Sequence, residues 1–140
     1  MFAIQSRNET LVFDRTVLMG ILNVTPDSFS DGGRYNQMDN ALHHCENLIS
    51  DGADIIDIGG CSTRPNNAIA TEQEEMERVV PILKAIRTAF PKVLISIDTF
   101  RKNVAETCTE VNGTFTVGTE PVMVVLSGRL IVHSLNSGKY

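Results

Sequence analysis

The feature of this sequence that most constrains its fold is a threefold alternation. Three apolar strand-like segments occur, and each is followed by a polar loop and an amphipathic helix. These segments are residues 17–22, 54–58 and 93–97, and they begin about forty residues apart. The first is apolar on both faces, as a strand buried in a parallel sheet is. The alternation therefore predicts a parallel β/α fold, which both a doubly wound sheet and a (β/α)8 barrel satisfy.

The predicted helices connect these strands. The first covers residues 37–50, where Asn36 is the expected N-cap and apolar residues recur every three or four positions. The second begins at a capping box, residues 71–74, and carries Pro81 in its apolar stripe, so we expect a kink or a division there. The third extends to about residue 109.

The two ends of the chain follow a different pattern. Residues 2–4 and 11–13 are predicted to pair as a short hairpin. After residue 112, strand-like runs follow one another with no helix between them, at residues 114–117, 121–126 and 129–133. The β/α alternation is therefore expected to stop after the third helix. The 140 residues compare with roughly 250 in a full barrel.

Charge and cysteine content exclude several functional classes. The formal net charge is −5 and the lysines and arginines are scattered, so no basic surface for nucleic acid is expected. Cys45, Cys61 and Cys108 are too widely spaced for a disulfide framework or a zinc-binding pair. No signal peptide and no apolar run of membrane-spanning length is evident. We therefore expect a cytoplasmic protein with no membrane and no nucleic-acid partner.

The loop after the first strand is rich in polar groups. It carries Asn23, Asp27, Phe29 and Asp31. Such a loop suits a lid over a polar ligand, and the side-chain oxygen of Asn23 suits Mg²⁺. A solvated loop in which Asp and Ser residues shape the turns explains the same pattern equally well.

The loop after the second strand combines two glycines with hydroxyls and a guanidinium. Gly59 and Gly60 allow close backbone approach, while Thr63 and Arg64 suit phosphate or a similar anion. The alternative is an ordinary glycine-rich turn with a surface arginine. The pattern favours anion binding, because Arg64 is fixed between Thr63 and Pro65.

Two acidic residues belong to the strands themselves. Asp98 ends the third strand, where its carboxylate can accept paired N–H bonds from a flat heterocycle. A helix N-cap is an equally good explanation of Asp98, since Asp is common before a helix. Asp57, inside the second strand, fits a structural carboxylate that is bonded to neighbouring backbone.

The two loops resemble the signatures of a known family. Residues 20–33 resemble the first signature of the dihydropteroate synthases, and residues 52–65 resemble the second. Residues 96–99 match the end of the family's third strand. The resemblance covers residues 17–106 and implies a (β/α)8 TIM barrel, of which this chain holds the first three β/α units.

The resemblance also implies a division of the chain. Within one truncated pterin-binding domain, residues 1–140, it separates a family-like core, residues 17–106, from an atypical strand-rich tail, residues 107–140. The family's later strands supply an Asn, an Asp, a Lys and an Arg-x-His, and none of these contexts is found here. We therefore expect the chain alone to be inactive as a synthase, with its tail as the only material that can cover the third strand.

The activity that the resemblance implies belongs to folate biosynthesis. It condenses 6-hydroxymethyl-7,8-dihydropterin diphosphate with 4-aminobenzoate to 7,8-dihydropteroate and diphosphate. The implied cofactor is Mg²⁺, the implied partners are these two small-molecule substrates, and the implied assembly of the full-length family is a homodimer. The alternatives are an inactive remnant that binds a pterin weakly and a related pterin-binding methyltransferase. The loops around Phe29 and Arg64 favour the synthase.

The resemblance assigns roles to residues of both loops. Asn23 matches the residue that touches Mg²⁺ on the leaving diphosphate, and Asp98 matches the residue that binds the pterin ring. Asp31 matches a carboxylate that approaches the pterin, and we expect Asp31 and Arg64 to be catalytic. The positions that bind diphosphate or shape the 4-aminobenzoate pocket are Phe29, Thr63, Arg64 and Pro65.

Overall fold

The computed structural model describes residues 2–5, 10–25, 34–61, 69–114 and 122–125. The elements are, in chain order, strands β1 (Phe2–Gln5), β2 (Thr10–Phe13) and β3 (Met19–Asn23), helix α1 (Arg34–Ser50), strand β4 (Ile55–Gly59), helix α2 (Glu72–Ala89), strand β5 (Leu94–Asp98), helix α3 (Lys102–Thr114) and strand β6 (Val122–Val125). Strands β1 and β2 pair antiparallel, which confirms the predicted hairpin. The other four strands form one sheet in the order β3-β4-β5-β6.

The parallel architecture predicted from the alternation is confirmed, since every pair in the four-stranded sheet is parallel. The expectation that the alternation stops after the third helix is wrong, because one further parallel strand follows that helix. Helix α3 continues to Thr114, and β6 then pairs with β5 and covers its edge. A helical crossover of this kind is what a parallel strand needs to return to the same sheet. Helix α3 also crosses residue 107, and the division into core and tail at that point stays a prediction.

The two faces of the parallel sheet differ in what covers them. One face packs against the helices, and its buried side chains include Leu22, Ile56, Ile58, Ile95 and Ile97. The other face, here called the inner face, carries the alternate residues of β3 to β5: Met19, Ile21, Asn23, Ile55, Asp57, Gly59, Leu94, Ser96 and Asp98. Ile21 is 60% exposed, so no described helix covers β3 on this side.

Each of the three predicted strands extends one residue further toward the C-terminus than expected. They end at Asn23, Gly59 and Asp98, which therefore take part in the hydrogen-bonded ladder. All three strands also begin later than expected, at Met19, Ile55 and Leu94. Asp54 thus precedes the second strand, and its Oδ2 accepts a hydrogen bond from the Leu18 N–H at 3.0 Å. Asn23 and Asp98, which were expected to follow the strands, therefore belong to them, and the sheet fixes the positions of their backbones.

The N-cap expected for α1 is wrong, and so is the division of α2 that was one of the two effects expected of Pro81; the other effect, a kink, stays a prediction. Helix α1 begins at Arg34, so Asn36 lies inside its first turn and is not the N-cap; residue preference alone does not fix a helix start. Pro81 does not divide α2, because it lies on the exposed side of the helix, where the loss of one backbone hydrogen bond is tolerated. The capping box is confirmed, with the Glu74 N–H donating to Thr71 Oγ1 at 3.3 Å and the Thr71 N–H donating to Glu74 Oε2 at 2.7 Å.

The helices pack on the sheet through one apolar side each. The predicted stripe of α1 joins the core through Met38, Leu42, Cys45 and Ile49. Burial raises the pKa of the Cys45 thiol to about 11 and that of the Cys108 thiol to about 12, so both act as packing groups. Within the described part of the chain, no helix combines the length and the apolar character needed to cross a bilayer.

Candidate functional site

The carboxyl ends of three neighbouring strands bring an amide, a glycine and a carboxylate into one row. Asn23 of β3 is the register partner of Gly59 of β4, and Gly59 is the register partner of Asp98 of β5. All three residues lie on the inner face, and we call them the upper row. The carboxyl end of a parallel sheet is where (β/α)8 enzymes build their active sites.

The absence of a side chain at Gly59 leaves a space between the two polar groups of the upper row. A Cβ atom at Gly59 would lie 3.4 Å from Asn23 Oδ1 and 3.9 Å from Asp98 Oδ2. Both oxygen atoms therefore border the same small volume above β4. Asn23 and Asp98 are also exposed, so a ligand can reach them both.

A second row lies on the same face, two residues nearer the amino end of each strand. It consists of Ile21, Asp57 and Ser96, which are also register partners, and we call it the lower row. The Oδ1 atom of Asp57 and the Oγ atom of Ser96 are buried and have no hydrogen-bond partner among the described residues. Oδ1 of Asp57 therefore does not make the backbone hydrogen bond expected of a structural carboxylate.

The two rows together concentrate negative charge. Partial burial of its carboxyl group raises the pKa of Asp98, and the charges of Asp57 and then Glu75 raise it further. Within the described residues, neither Asp57 nor Asp98 takes part in an ion pair. Unpaired carboxylates of this kind suit a ligand that brings N–H donors or a hydrated cation.

Close packing on the far side of β4 holds the upper row in place. A Cβ atom at Gly60 would lie 2.5 Å from Val79 Cγ2 and 3.3 Å from the backbone oxygen of Glu75. Only a glycine therefore allows α2 to approach the strand at this point. Arg78 adds a further link, because its Nη1 donates a hydrogen bond to the Gly60 carbonyl oxygen at 3.1 Å.

A buried ion pair ties α2 to the segment that follows β5. Glu75 is completely buried and pairs with Arg101, whose Nη2 also donates to the Ala70 carbonyl oxygen. The guanidinium carbon of Arg101 lies 4.5 Å from the centre of the Phe100 ring. Sequence reasoning missed this network, although one signal was present: Glu75 lies one helical turn before Val79, on the buried side of α2.

The structure describes two of the predicted site residues, Asn23 and Asp98, and brings them together in the upper row. The alternative that Asp98 caps a helix is wrong, because Asp98 is the last residue of β5 and α3 begins only at Lys102. The other predicted site residues lie outside the described part of the chain: Phe29, Asp31, Thr63, Arg64 and Pro65. Their roles stay predictions.

Comparisons with known sequences point to one family. The family described as "Pterin binding enzyme" matches residues 19–117. A dihydropteroate synthase of Clostridium beijerinckii is 56% identical over 97 residues, which are 69% of this chain and 36% of that relative. The Bacillus subtilis protein of the same name is 55% identical over 93 residues, or 66% of this chain and 32% of the relative. The chain thus spans about a third of the length of these relatives.

Solved structures agree with the sequence comparison. The 7,8-dihydropteroate synthase of Vibrio fischeri matches with a TM-score of 0.67 and 47% identity, over 79% of this chain and 39% of that chain. A Xanthomonas albilineans dihydropteroate synthase with 4-aminobenzoic acid matches with a TM-score of 0.71 and 34% identity, over 88% and 43%. These matches confirm the predicted fold class, the opening β/α units of a (β/α)8 TIM barrel. Since the family match covers most of its length, the chain belongs to the pterin binding enzyme family.

Proposed function

We propose that this chain is the pterin-binding part of a dihydropteroate synthase, which joins 6-hydroxymethyl-7,8-dihydropterin diphosphate to 4-aminobenzoate. The observation that carries the proposal is the upper row, in which Asn23 and Asp98 border the space left by Gly59. The family match at residues 19–117 spans this whole row, and the relatives named above bear the synthase name.

Each polar side chain of the upper row suits one part of the pterin diphosphate. The Asp98 carboxylate can accept two N–H bonds from one edge of the pterin ring, and a charged acceptor forms stronger hydrogen bonds than a neutral one. Asn23 presents a neutral amide oxygen to the same space. The ring then lies across Gly59, and the diphosphate extends toward Asn23.

The residues present fit a Mg²⁺ ion that is bound mainly by the substrate. Among the described residues, no group of three or more His, Cys, Asp or Glu side chains is arranged to hold a metal ion. Asn23 offers one oxygen ligand, and Mg²⁺ is commonly bound by one or two protein groups together with water and phosphate oxygens. When bound, the ion would neutralise negative charge on the departing diphosphate.

The proposed reaction forms one bond and breaks another. The amine nitrogen of 4-aminobenzoate bonds to the methylene carbon of the pterin, and the bond from that carbon to the diphosphate oxygen breaks. The electron pair leaves with the diphosphate, and the amine releases a proton. As the resemblance implies, Asp31 approaches the pterin, while Phe29, Thr63, Arg64 and Pro65 contact the diphosphate and 4-aminobenzoate and keep water from the reacting carbon.

The proposal assigns binding to this chain and turnover to the longer protein. Because the chain spans 36% of the Clostridium beijerinckii relative, we expect it to bind the pterin diphosphate without forming dihydropteroate. The cytoplasmic location and the homodimeric assembly of the full-length family stay predictions.

Calorimetric titration of the 140-residue chain with the pterin diphosphate tests the proposal. Asp98→Asn should raise Kd at least about tenfold, the effect of losing a charged hydrogen bond, and should change 4-aminobenzoate binding less. Asp54→Asn alters a carboxylate that lies outside the inner face, so it is the matched control and should bind like the wild type.

A second variant isolates the metal. Asn23→Ala should remove the increase in affinity that Mg²⁺ gives to the pterin diphosphate. It should leave the binding of 6-hydroxymethyl-7,8-dihydropterin, which lacks the diphosphate, unchanged. A wild-type chain that does not bind the pterin diphosphate, or equal binding by Asp98→Asn and Asp54→Asn, would show that the proposal is wrong.

A further inference from the structure

The lower row of the inner face contains two polar side chains that the fold itself does not use. Asp57 and Ser96 are register partners on adjacent strands, one step below Gly59 and Asp98. Ser96 is completely buried. The Oγ atom of Ser96 and the Oδ1 atom of Asp57 have no hydrogen-bond partner within the part of the chain that the structure describes.

A buried oxygen atom without a partner costs free energy, so its presence needs a reason. A structural role for Asp57 would require at least one of its oxygens to be bonded to the protein, as Glu75 is bonded to Arg101 through Oε2 although its Oε1 atom has no partner among the described residues. Asp54 shows what such a carboxylate looks like in this chain: its Oδ2 accepts hydrogen bonds from the Leu18 N–H at 3.0 Å and from Arg15 Nη1 at 2.9 Å. Oδ1 of Asp57 has no corresponding donor.

The position of the lower row indicates what completes it. Asp57 and Ser96 lie on the same face as the space that Gly59 leaves open, two residues nearer the amino ends of the strands than Gly59 and Asp98. A ligand that enters this space between the strands therefore meets Asp98 first and Asp57 below it. Both groups are carboxylates, which accept hydrogen bonds, so a heterocycle that offers N–H donors to Asp98 can offer them to Asp57 as well.

We propose that Asp57 is a second acceptor for the N–H groups of the bound heterocycle, below Asp98, and that the Ser96 hydroxyl completes this floor. The inference rests on the proposed function and adds to it a residue that determines specificity. The ligand class is a flat heterocycle with an amino group and ring N–H groups on one edge. A ring with an oxo group in place of the amino group would set an acceptor against a carboxylate.

The test compares two rings of the same shape on the 140-residue chain. 6-Hydroxymethylpterin carries a 2-amino group, and the matching lumazine carries an oxo group there. The wild-type chain should prefer the pterin. Asp57→Asn should lower its affinity for the pterin about tenfold and reduce the preference by a similar factor, because an amide can donate to the oxo group. Ser96→Ala should have a smaller effect in the same direction.

Urea unfolding of the ligand-free variants distinguishes binding from structure. If Asp57 serves a ligand, Asp57→Asn unfolds at the same urea concentration as the wild type or at a higher one, since no hydrogen bond to the Oδ1 atom is lost. A clear fall in the urea midpoint would show that Asp57 stabilises the fold, and this would overturn the inference. Unchanged preference between the two rings would overturn it as well.

The outcome for Asp98 separates this inference from the proposed function. If Asp98→Asn loses the pterin while Asp57→Asn binds both rings like the wild type, the proposed function stands and the second acceptor is wrong. If the wild-type chain binds neither ring, the second acceptor is wrong, and the titration with the pterin diphosphate decides the proposed function separately.

Discussion

The inner face of the sheet and the shell around it treat acidic side chains in opposite ways. By the shell we mean the helices and the residues that lead into the strands. In the shell, Asp54 is held by the Arg15 guanidinium, and the buried Glu75 is held by Arg101. On the inner face, Asp57 and Asp98 have no ion pair within the described part of the chain.

The pKa values follow the same contrast. The hydrogen bonds from Arg15 and then from the Leu18 N–H lower the pKa of Asp54. Burial, followed by the charges of Asp57 and Glu75, raises the pKa of Asp98. The charge of Asp54 therefore stabilises the fold, while the charge of Asp98 reduces its stability and is available to a ligand. Binding sites commonly reduce stability in this way.

The largest effect should come from breaking the buried ion pair of the shell. Glu75→Ala leaves the Arg101 guanidinium without its buried partner, which should lower the free energy of unfolding by about 3–5 kcal/mol. Urea unfolding measures the change. The control is Glu77→Ala, which removes an exposed acid of the same helix and should cost less than about 0.5 kcal/mol. Equal costs for the two variants would contradict the structural role of the pair.

Two adjacent glycines separate the shell from the inner face at the end of β4. An alanine at Gly60 meets Val79, so Gly60→Ala should lower the free energy of unfolding by about 1–3 kcal/mol. An alanine at Gly59 meets only the oxygens of Asn23 and Asp98 at contact distance, so Gly59→Ala should change stability by less than about 1 kcal/mol.

Gly59→Ala should nevertheless weaken the binding of the pterin diphosphate, because the new methyl group fills the space between the two oxygens. Unfolding and titration of both variants check this pair of predictions. If Gly59→Ala destabilised the chain as much as Gly60→Ala, the space at Gly59 would be part of the packed core and not of a site.

A smaller effect is expected at the exposed pair of the shell. Because the folded-state pKa of Asp54 is lowered, the stability from its pairing with Arg15 is present above the ordinary Asp pKa of about 3.9. This stability is lost as the pH falls through the folded-state value. Asp54→Asn should therefore unfold at a slightly lower urea concentration than the wild type at pH 7. This difference in urea midpoint should shrink in acid and in high salt. A difference that stayed constant with pH would rule out this charge pairing.

Local patterns were enough to predict much of the fold. The alternation of apolar segments and amphipathic helices fixed the parallel β/α class, and the capping box at Thr71 and Glu74 fixed the start of α2. The same reasoning identified Asn23 and Asp98 as polar residues at strand ends. These features depend on residues that are close in sequence, which is why they can be read from it.

Other features depend on contacts between distant residues. Glu75 and Arg101 are 26 positions apart, and Arg15 and Asp54 are 39 apart, so neither pair is visible as a spacing. The tolerance of Pro81 depends on the rotation of α2, which places this residue outside the core. Similarly, the strand character of β6 was visible, but its parallel pairing depends on the length of α3.

The most direct test of the contrast between the shell and the inner face compares Asp54→Asn and Asp98→Asn by urea unfolding at pH 7. The folded-state pKa of Asp98 is raised, so its charge costs stability once the pH exceeds the ordinary Asp value of about 3.9, and the cost is complete above the raised value. Asp98→Asn should therefore raise the urea midpoint, and Asp54→Asn should lower it. A lower midpoint for both variants would contradict the account, because it would show that the Asp98 carboxylate stabilises the free chain.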